Sequence, residues 1–107
     1  NIKSTRDFTF VANAVQANIR SLFTDNKDAF GQVYNIAYGE RFSILAMYET
    51  ICEALGNPSN AIHREAREGD IRDSLADISL AKDCLNYQPR FSFAEGIQQT
   101  IPFYKTL

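Results

Sequence analysis

The first apolar pattern along the chain alternates and then changes its period. Within residues 5–11 the side chains of Arg6, Phe8 and Phe10 fall on one side, which predicts a short β-strand. From residue 12 to about residue 24 apolar side chains recur every three or four positions, which predicts an amphipathic helix. The apolar positions of this helix are Val15, Ile19, Leu22 and Phe23.

Two further elements are predicted in the middle of the chain. Residues 32–38 are rich in β-branched and aromatic side chains and are closed by Gly39, so they predict a second strand. Ser43 is a suitable N-cap for a helix that Gly56 and Pro58 end. The apolar stripe of that helix is Ile44, Met47, Tyr48, Ile51, Cys52 and Leu55.

The last third of the chain predicts a brief strand and two helices. Residues 61–63 form the brief strand, and Asp77 caps a helix that must end before Pro89. Its apolar positions are Ile78, Ala81, Cys84 and Leu85. Ser92 and Glu95 have capping-box spacing, so a final helix begins at residue 93 and weakens at Pro102.

Strands therefore alternate with helices, which indicates an α/β or α+β fold with a small mixed sheet and about four helices. The chain has 107 residues, of which 45% are hydrophobic and 22% charged, with a net charge of −2. These values predict a single globular domain over residues 1–107 and argue against disorder and against a nucleic-acid-binding surface. No apolar run approaches the roughly 20 residues that span a bilayer, and the cytosol is the simplest expected compartment.

The cysteines and the histidine carry little chemistry. Cys52 and Cys84 lie in apolar helical patterns without further cysteines or a histidine at ligand spacing, so we interpret them as reduced core residues. A metal site and a disulfide framework are not expected. His63 is the only histidine, which argues against a histidine-based catalytic triad.

The most charged stretch, residues 64–77, combines arginines, carboxylates and Gly69 on a predicted loop. Arginine matches phosphate oxygens with a planar fork of donors, and an aspartate accepts hydrogen bonds from a sugar diol. This stretch therefore suggests a site for a phosphorylated, hydroxylated ligand. The alternative is a solvated connection between strand and helix.

Three segments resemble one protein family in order and at family spacing. Residues 6–11, residues 33–41 and residues 67–77 are similar to the C-terminal third of nucleotide-sugar 4-epimerases and dehydratases of the extended short-chain dehydrogenase/reductase class. They are most similar to bacterial UDP-N-acetylglucosamine and UDP-glucose 4-epimerases. The resemblance implies the C-terminal substrate-binding region of a Rossmann-type enzyme, and we expect the chain to be part of a longer protein.

The resemblance also implies NAD as the cofactor of the full-length enzyme. The family's glycine-rich turn and its Tyr-x-x-x-Lys pair are both missing from the sequence. We therefore expect no catalytic residue and no NAD binding in these 107 residues, which should be inactive alone. The expected partners are a UDP-sugar and the absent Rossmann domain.

The family's nucleotide-binding roles fall on four positions by resemblance. Arg6 and Arg67 match the arginines that reach the diphosphate, and Asp70 matches the acid that accepts from the ribose. Phe8 stands where many members have a tyrosine near that ribose. The alternatives are a solvent-exposed charge at a strand end for Arg6 and a core side chain for Phe8. Ala12 departs from the family pattern, which has an acid there, so a contact at the start of the first helix is lost.

We therefore expect the chain to bind the UDP part of a UDP-sugar within an NAD-dependent nucleotide-sugar 4-epimerase. A 4,6-dehydratase or decarboxylase is the first alternative, and a non-catalytic interaction module with the same fold is the second. Apolar side chains of the first strand and helix should lack neighbours here. We accordingly expect self-association, by pairing or exchange of residues 5–23 between copies.

Overall fold

The computed structural model describes residues 3–57 and 73–106, which fold into helices around a very small sheet. The elements in chain order are β1 (Thr5–Arg6), α1 (Val11–Phe23), a 3₁₀ turn (Lys27–Ala29), β2 (Phe42–Ser43), α2 (Ile44–Leu55), α3 (Ser79–Leu85) and α4 (Phe93–Lys105). β1 and β2 are antiparallel, with Thr5 opposite Ser43 and Arg6 opposite Phe42. The expected mixture of helices and strands is confirmed.

The strand predicted over residues 5–11 is shorter than expected. β1 ends at Arg6, because β2 pairs with only two of its residues. The next residue, Asp7, binds backbone amides with its carboxylate. α1 begins at Val11, close to the predicted start, and its N-cap Phe10 provides no side-chain acceptor. The first turn of α1 contains no acidic residue, as expected from Ala12.

The strand predicted over residues 32–38 is wrong in the part of the chain that the structure describes. The exposure of its side chains alternates as in a strand, since Tyr34 and Ile36 pack on the core whereas Val33 is 90% exposed. However, no backbone–backbone hydrogen bond joins this segment to any other described residue. Composition favoured a strand, but a strand also needs a partner.

The predicted start and end of α2 and the predicted start of α4 are confirmed. The Ser43 hydroxyl accepts from the Ala46 amide at 2.9 Å, and α2 ends at Gly56, whose φ of 73° is left-handed. At the start of α4 the Ser92 hydroxyl accepts from the Glu95 amide, and the Glu95 carboxylate accepts from the Ser92 amide, both at 3.2 Å. These two bonds form the predicted capping box.

The remaining helix boundaries follow the sequence closely. The N-cap of α3 is Ile78, one residue later than predicted, and Asp77 instead accepts from the Ser79 amide at 2.9 Å. The helix ends before its C-cap Asn86, which has a φ of 56°, and so before Pro89 as predicted. α4 continues past Pro102 to its end at residue 105. Pro102 lacks the amide that would bond to the Gln98 carbonyl, and the helix nevertheless continues for three residues beyond it. The strand predicted over residues 61–63 lies outside the described residues.

The core between α1 and α3 is built mainly from small side chains around one tyrosine. Its buried members are Ala17, Ala37, Ile78, Ala81 and Tyr87. Tyr87 is fully buried and donates its hydroxyl to the Ala37 carbonyl at 2.6 Å. The alanines allow α1, α3 and the segment before Gly39 to approach closely around that ring.

A second packed region joins α2 and α4 to the chain before α1. A Cβ atom added at Gly96 of α4 would lie 3.0 Å from Phe10, so this glycine permits the close approach. Cys52 is buried in α2 and Cys84 is half-buried in α3, and both are free thiols. Within residues 3–57 and 73–106, no helix is long and apolar enough to cross a membrane.

Candidate functional site

Arg6 lies in β1, one of the two strands of the small sheet. Pairing with Phe42 fixes its backbone, and its side chain is half-buried. One guanidinium nitrogen donates to the Thr5 carbonyl at 2.7 Å. The Arg6 side chain is therefore half-buried and held against its own strand.

β1 also contacts the chain that follows the arginine-rich stretch. The Thr5 hydroxyl donates to a carboxylate oxygen of Asp73 at 2.8 Å, and the Ser74 amide donates to the Thr5 carbonyl at 3.0 Å. Thr5 and Asp73 form a parallel bridge. The chain thus returns from residues 58–72 to the residue next to Arg6.

Arg67 and Asp70, the other two polar residues predicted to bind the nucleotide, lie outside the described residues. The structure therefore neither joins them to Arg6 nor separates them from it.

Phe8 belongs to an aromatic cluster. Its ring centroid lies 5.2 Å from that of Phe93, which in turn stacks on Phe42 at 4.8 Å. An apolar cavity of about 150 Å³ lies beside it, lined in part by Met47 and Gly96. Phe8 is half-buried and packs against Phe93.

Asp7 has a role that the sequence analysis missed. Its carboxylate accepts hydrogen bonds from the backbone amides of Tyr38, at 3.1 Å, and Gly39, at 2.9 Å. Gly39 has a φ of 94°, which favours glycine, and this turn leads the chain towards β2. In the sequence, Asp7 stands out only as an aspartate beside Arg6. Its hydrogen-bond partners lie 31 and 32 positions away, so the sequence alone did not reveal them.

Tyr87 holds the same turn through a second hydrogen bond. It binds the carbonyl of Ala37, directly before the two amides held by Asp7. Burial raises the pKa of the Tyr87 hydroxyl, and the negative charge of Asp7 raises it further. The neutral tyrosine and the charged aspartate together fix the turn that precedes β2 and therefore the strand that pairs with Arg6.

The described residues do not fit a dinucleotide cofactor. Binding a pyrophosphate at a helix start needs free amides and usually glycines that let the backbone approach. α1 starts without a glycine, and the amides that start α2 and α4 are capped by Ser43 and Ser92. The carboxylate of Glu95 adds negative charge at the start of α4.

A wider groove of about 810 Å³ lies between α1 and α3, and neither Arg6 nor Phe8 lines it. No group of three or more histidine, cysteine, aspartate or glutamate side chains is placed to hold a metal ion in the described ranges.

Comparison of the chain with known proteins identifies relatives in sequence and in structure. The chain is 33% identical over 101 residues to UDP-glucose 4-epimerase of Mycolicibacterium smegmatis, covering 94% of the chain and 31% of that protein. It is 30% identical over 114 residues to dTDP-glucose 4,6-dehydratase of Xanthomonas campestris, covering 97% of the chain and 32% of that protein.

A solved structure agrees with these matches. UDP-glucuronic acid 4-epimerase of Bacillus cereus, in complex with UDP-glucuronic acid and NAD, superposes with a TM-score of 0.87 at 27% identity. The superposition covers 99% of the chain and 33% of the epimerase. The chain therefore spans about a third of the length of its relatives.

The model of the GDP-mannose 4,6 dehydratase family matches residues 1–100. The chain thus belongs to that family and corresponds to the C-terminal part of NAD-dependent nucleotide-sugar epimerases and dehydratases, as its three motifs predicted.

Proposed function

We propose that the chain forms the uridine diphosphate side of the substrate site in a nucleotide-sugar 4-epimerase. Arg6 and Arg67 bind the diphosphate, Asp70 accepts from the ribose, and Phe8 packs near that ribose. The proposal includes no catalytic residue in this chain, and the hydride chemistry belongs to NAD bound elsewhere in the enzyme.

The contact between Thr5 and Asp73 is the observation that carries this proposal. It brings the end of the arginine-rich stretch to β1, directly beside Arg6. Asp70 precedes Asp73 by three positions, and three residues span at most roughly 11 Å. One diphosphate and its ribose can therefore be reached from both sequence motifs.

The chemistry of Arg6 suits a diphosphate. The planar guanidinium of an arginine is positively charged and matches pairs of phosphate oxygens. Pairing of β1 with β2 and the anchoring of the preceding turn by Asp7 fix its backbone in advance. Preorganisation of this kind reduces the free energy spent on ordering the side chain when the ligand binds.

Titration of the chain with UDP and with uridine, followed by NMR, tests the proposal. We expect UDP to bind in the millimolar range and uridine to bind more weakly. Arg6→Ala should weaken UDP binding roughly tenfold to a hundredfold, since a hydrogen bond to a charged group contributes about 1.5–3 kcal/mol. Uridine, which lacks the diphosphate, should lose less than a factor of about two, because only the diphosphate contact is removed.

Arg90→Ala is the matched control, because Arg90 is an exposed arginine that lines the groove between α1 and α3, which Arg6 does not line. It should leave the affinity for UDP unchanged. Equal weakening by Arg6→Ala and Arg90→Ala, or UDP binding that Arg6→Ala does not alter, would contradict the proposed role of Arg6.

A dehydratase is the second candidate function. The family model and the Xanthomonas relative both carry the name of a 4,6-dehydratase. The two functions share the nucleotide site and differ in the fate of the sugar. Products formed from UDP-glucose and dTDP-glucose by an enzyme containing this chain distinguish them: a C4 epimer supports the epimerase, and a 4-keto-6-deoxy sugar supports the dehydratase.

A further inference from the structure

Thr5 links Arg6 to the chain that follows the arginine-rich stretch, through hydrogen bonds at its carbonyl and at its hydroxyl. The carbonyl accepts from the Arg6 guanidinium at 2.7 Å and from the Ser74 amide at 3.0 Å. The hydroxyl donates to a carboxylate oxygen of Asp73 at 2.8 Å. One residue therefore helps to place both the candidate arginine and the end of that stretch.

The backbone alone holds this junction weakly. β1 pairs with β2, whereas the bridge between Thr5 and Asp73 is isolated. Asp73 and Ser74 are exposed, and exposed backbone hydrogen bonds of this kind open locally at a low free-energy cost. The bond from the Thr5 hydroxyl adds a carboxylate acceptor to the junction, and hydrogen bonds to carboxylates are stronger than those between neutral groups.

The proposed nucleotide site needs this junction closed. Asp70 and Arg67 precede Asp73 by three and six positions, so at most roughly 11 and 22 Å of chain separate them from it. While Asp73 lies against Thr5, this chain is tethered next to Arg6, and when the junction opens the tether is lost. A ligand that contacts both sides must then close the junction again, so its apparent affinity falls with the fraction of closed molecules.

We infer that Thr5 and Asp73 are positioning residues of the uridine diphosphate site, an inference that rests on the proposed function. Their hydrogen bond keeps the arginine-rich stretch beside Arg6 before the ligand arrives. They act through Arg6 and the residues of that stretch, and not by contacting the ligand. By linkage, a ligand that contacts both sides stabilises the closed junction in return.

Asp77 and Ser79 provide a comparison within the same chain. The Ser79 hydroxyl donates to a carboxylate oxygen of Asp77 at 2.5 Å, and both residues are exposed. These partners are two positions apart, whereas Thr5 and Asp73 are 68 positions apart. Asp77→Ala therefore removes the same kind of hydrogen bond and the same charge without releasing the arginine-rich stretch from β1.

Titration of the chain with UDP, followed by NMR, tests the inference. Thr5→Val and Asp73→Ala each remove one partner of the bond and should weaken UDP binding roughly threefold to tenfold. The double variant should bind UDP as each single variant does, because both substitutions remove the same bond. Thr5→Ser keeps the donor and Asp73→Asn keeps an acceptor, so each should bind UDP within about twofold of the wild type. Asp77→Ala should bind UDP as the wild type does.

Hydrogen exchange at the Ser74 amide gives a readout that a merely structural role would not move. This amide donates to the Thr5 carbonyl, so it reports whether the junction is closed. In the free Asp73→Ala variant it should exchange several-fold faster than in the wild type. Saturating UDP should slow this exchange again, because the ligand favours the closed junction.

An affinity for UDP unchanged by Thr5→Val or by Asp73→Ala, additive effects in the double variant, or equal weakening by Asp77→Ala would each overturn the inference. Exchange of the Ser74 amide in Asp73→Ala that does not respond to UDP would overturn it as well. Arg6→Ala separates the two failures. If it weakens UDP binding while the Thr5 and Asp73 variants do not, only the positioning role is wrong. If it leaves UDP binding unaltered, the proposed function fails and the positioning role fails with it.

Discussion

Two buried polar residues hold the parts of the fold that local sequence does not specify. Asn13 is fully buried, and its side chain accepts from the amides of Arg90 and Phe91 while donating to the Phe91 carbonyl. Tyr87, which follows α3, likewise donates to the Ala37 carbonyl. Each of the two residues satisfies backbone groups about 50 to 78 positions away in the sequence, so each stabilises tertiary structure and not a local element.

Replacing Tyr87 by phenylalanine should destabilise the fold by about 1–3 kcal/mol, because the buried carbonyl of Ala37 is left without a donor. The free energy of unfolding in urea measures this change. Tyr104→Phe serves as the control, since Tyr104 is 61% exposed and should change the free energy by less than about 0.5 kcal/mol. Equal effects of the two substitutions would show that the Tyr87 hydroxyl contributes nothing specific.

Among the secondary-structure elements, α4 shows how a short capping motif stabilises the start of a whole helix. Its capping box joins Ser92 and Glu95, and these hydrogen bonds lower the pKa of the Glu95 carboxyl below its ordinary value. A group with a lowered pKa in the folded state stabilises the fold above its unfolded pKa. That contribution is lost as the pH falls through the folded value.

The capping box therefore predicts a pH-dependent difference between the wild-type chain and Glu95→Gln. The wild-type chain should have the higher thermal midpoint at pH 7, and the difference should shrink as the pH falls below about 4.3, the ordinary pKa of glutamate. Thermal unfolding followed by circular dichroism from pH 7 to pH 2.5 measures this. A difference that stays constant across the range would show that the charge of Glu95 is irrelevant to the cap.

The sequence predicted these elements unevenly for a physical reason. Ser43, Ser92 and Glu95 act on residues three positions away, so their spacing alone revealed the helix starts. Strand pairing joins distant residues, and for this reason β1 was predicted too long and residues 32–38 were assigned to a strand without a partner. The role of Asp7 was missed for the same reason, because the backbone amides that it binds are distant in the sequence.

As a whole molecule, the chain is more extended than its size requires. Its Cα radius of gyration is 16.5 Å, whereas a compact domain of about 100 residues measures about 13 Å. Its core is rich in alanine, and several apolar side chains of α1 are exposed, among them Val11, Leu22 and Phe23. A core of small side chains buries little apolar area, so it contributes little hydrophobic stabilisation.

The bridge between Thr5 and Asp73 also has a consequence for the order of folding. These residues are 68 positions apart, so the β1 corner cannot close until a large loop has been brought together. Local helices such as α2 and α4 need no such closure and should form first. Thr5→Ala is thus expected to speed unfolding while leaving the folding rate nearly unchanged. The corner that carries Arg6 would be assembled last, after the scaffold that holds it.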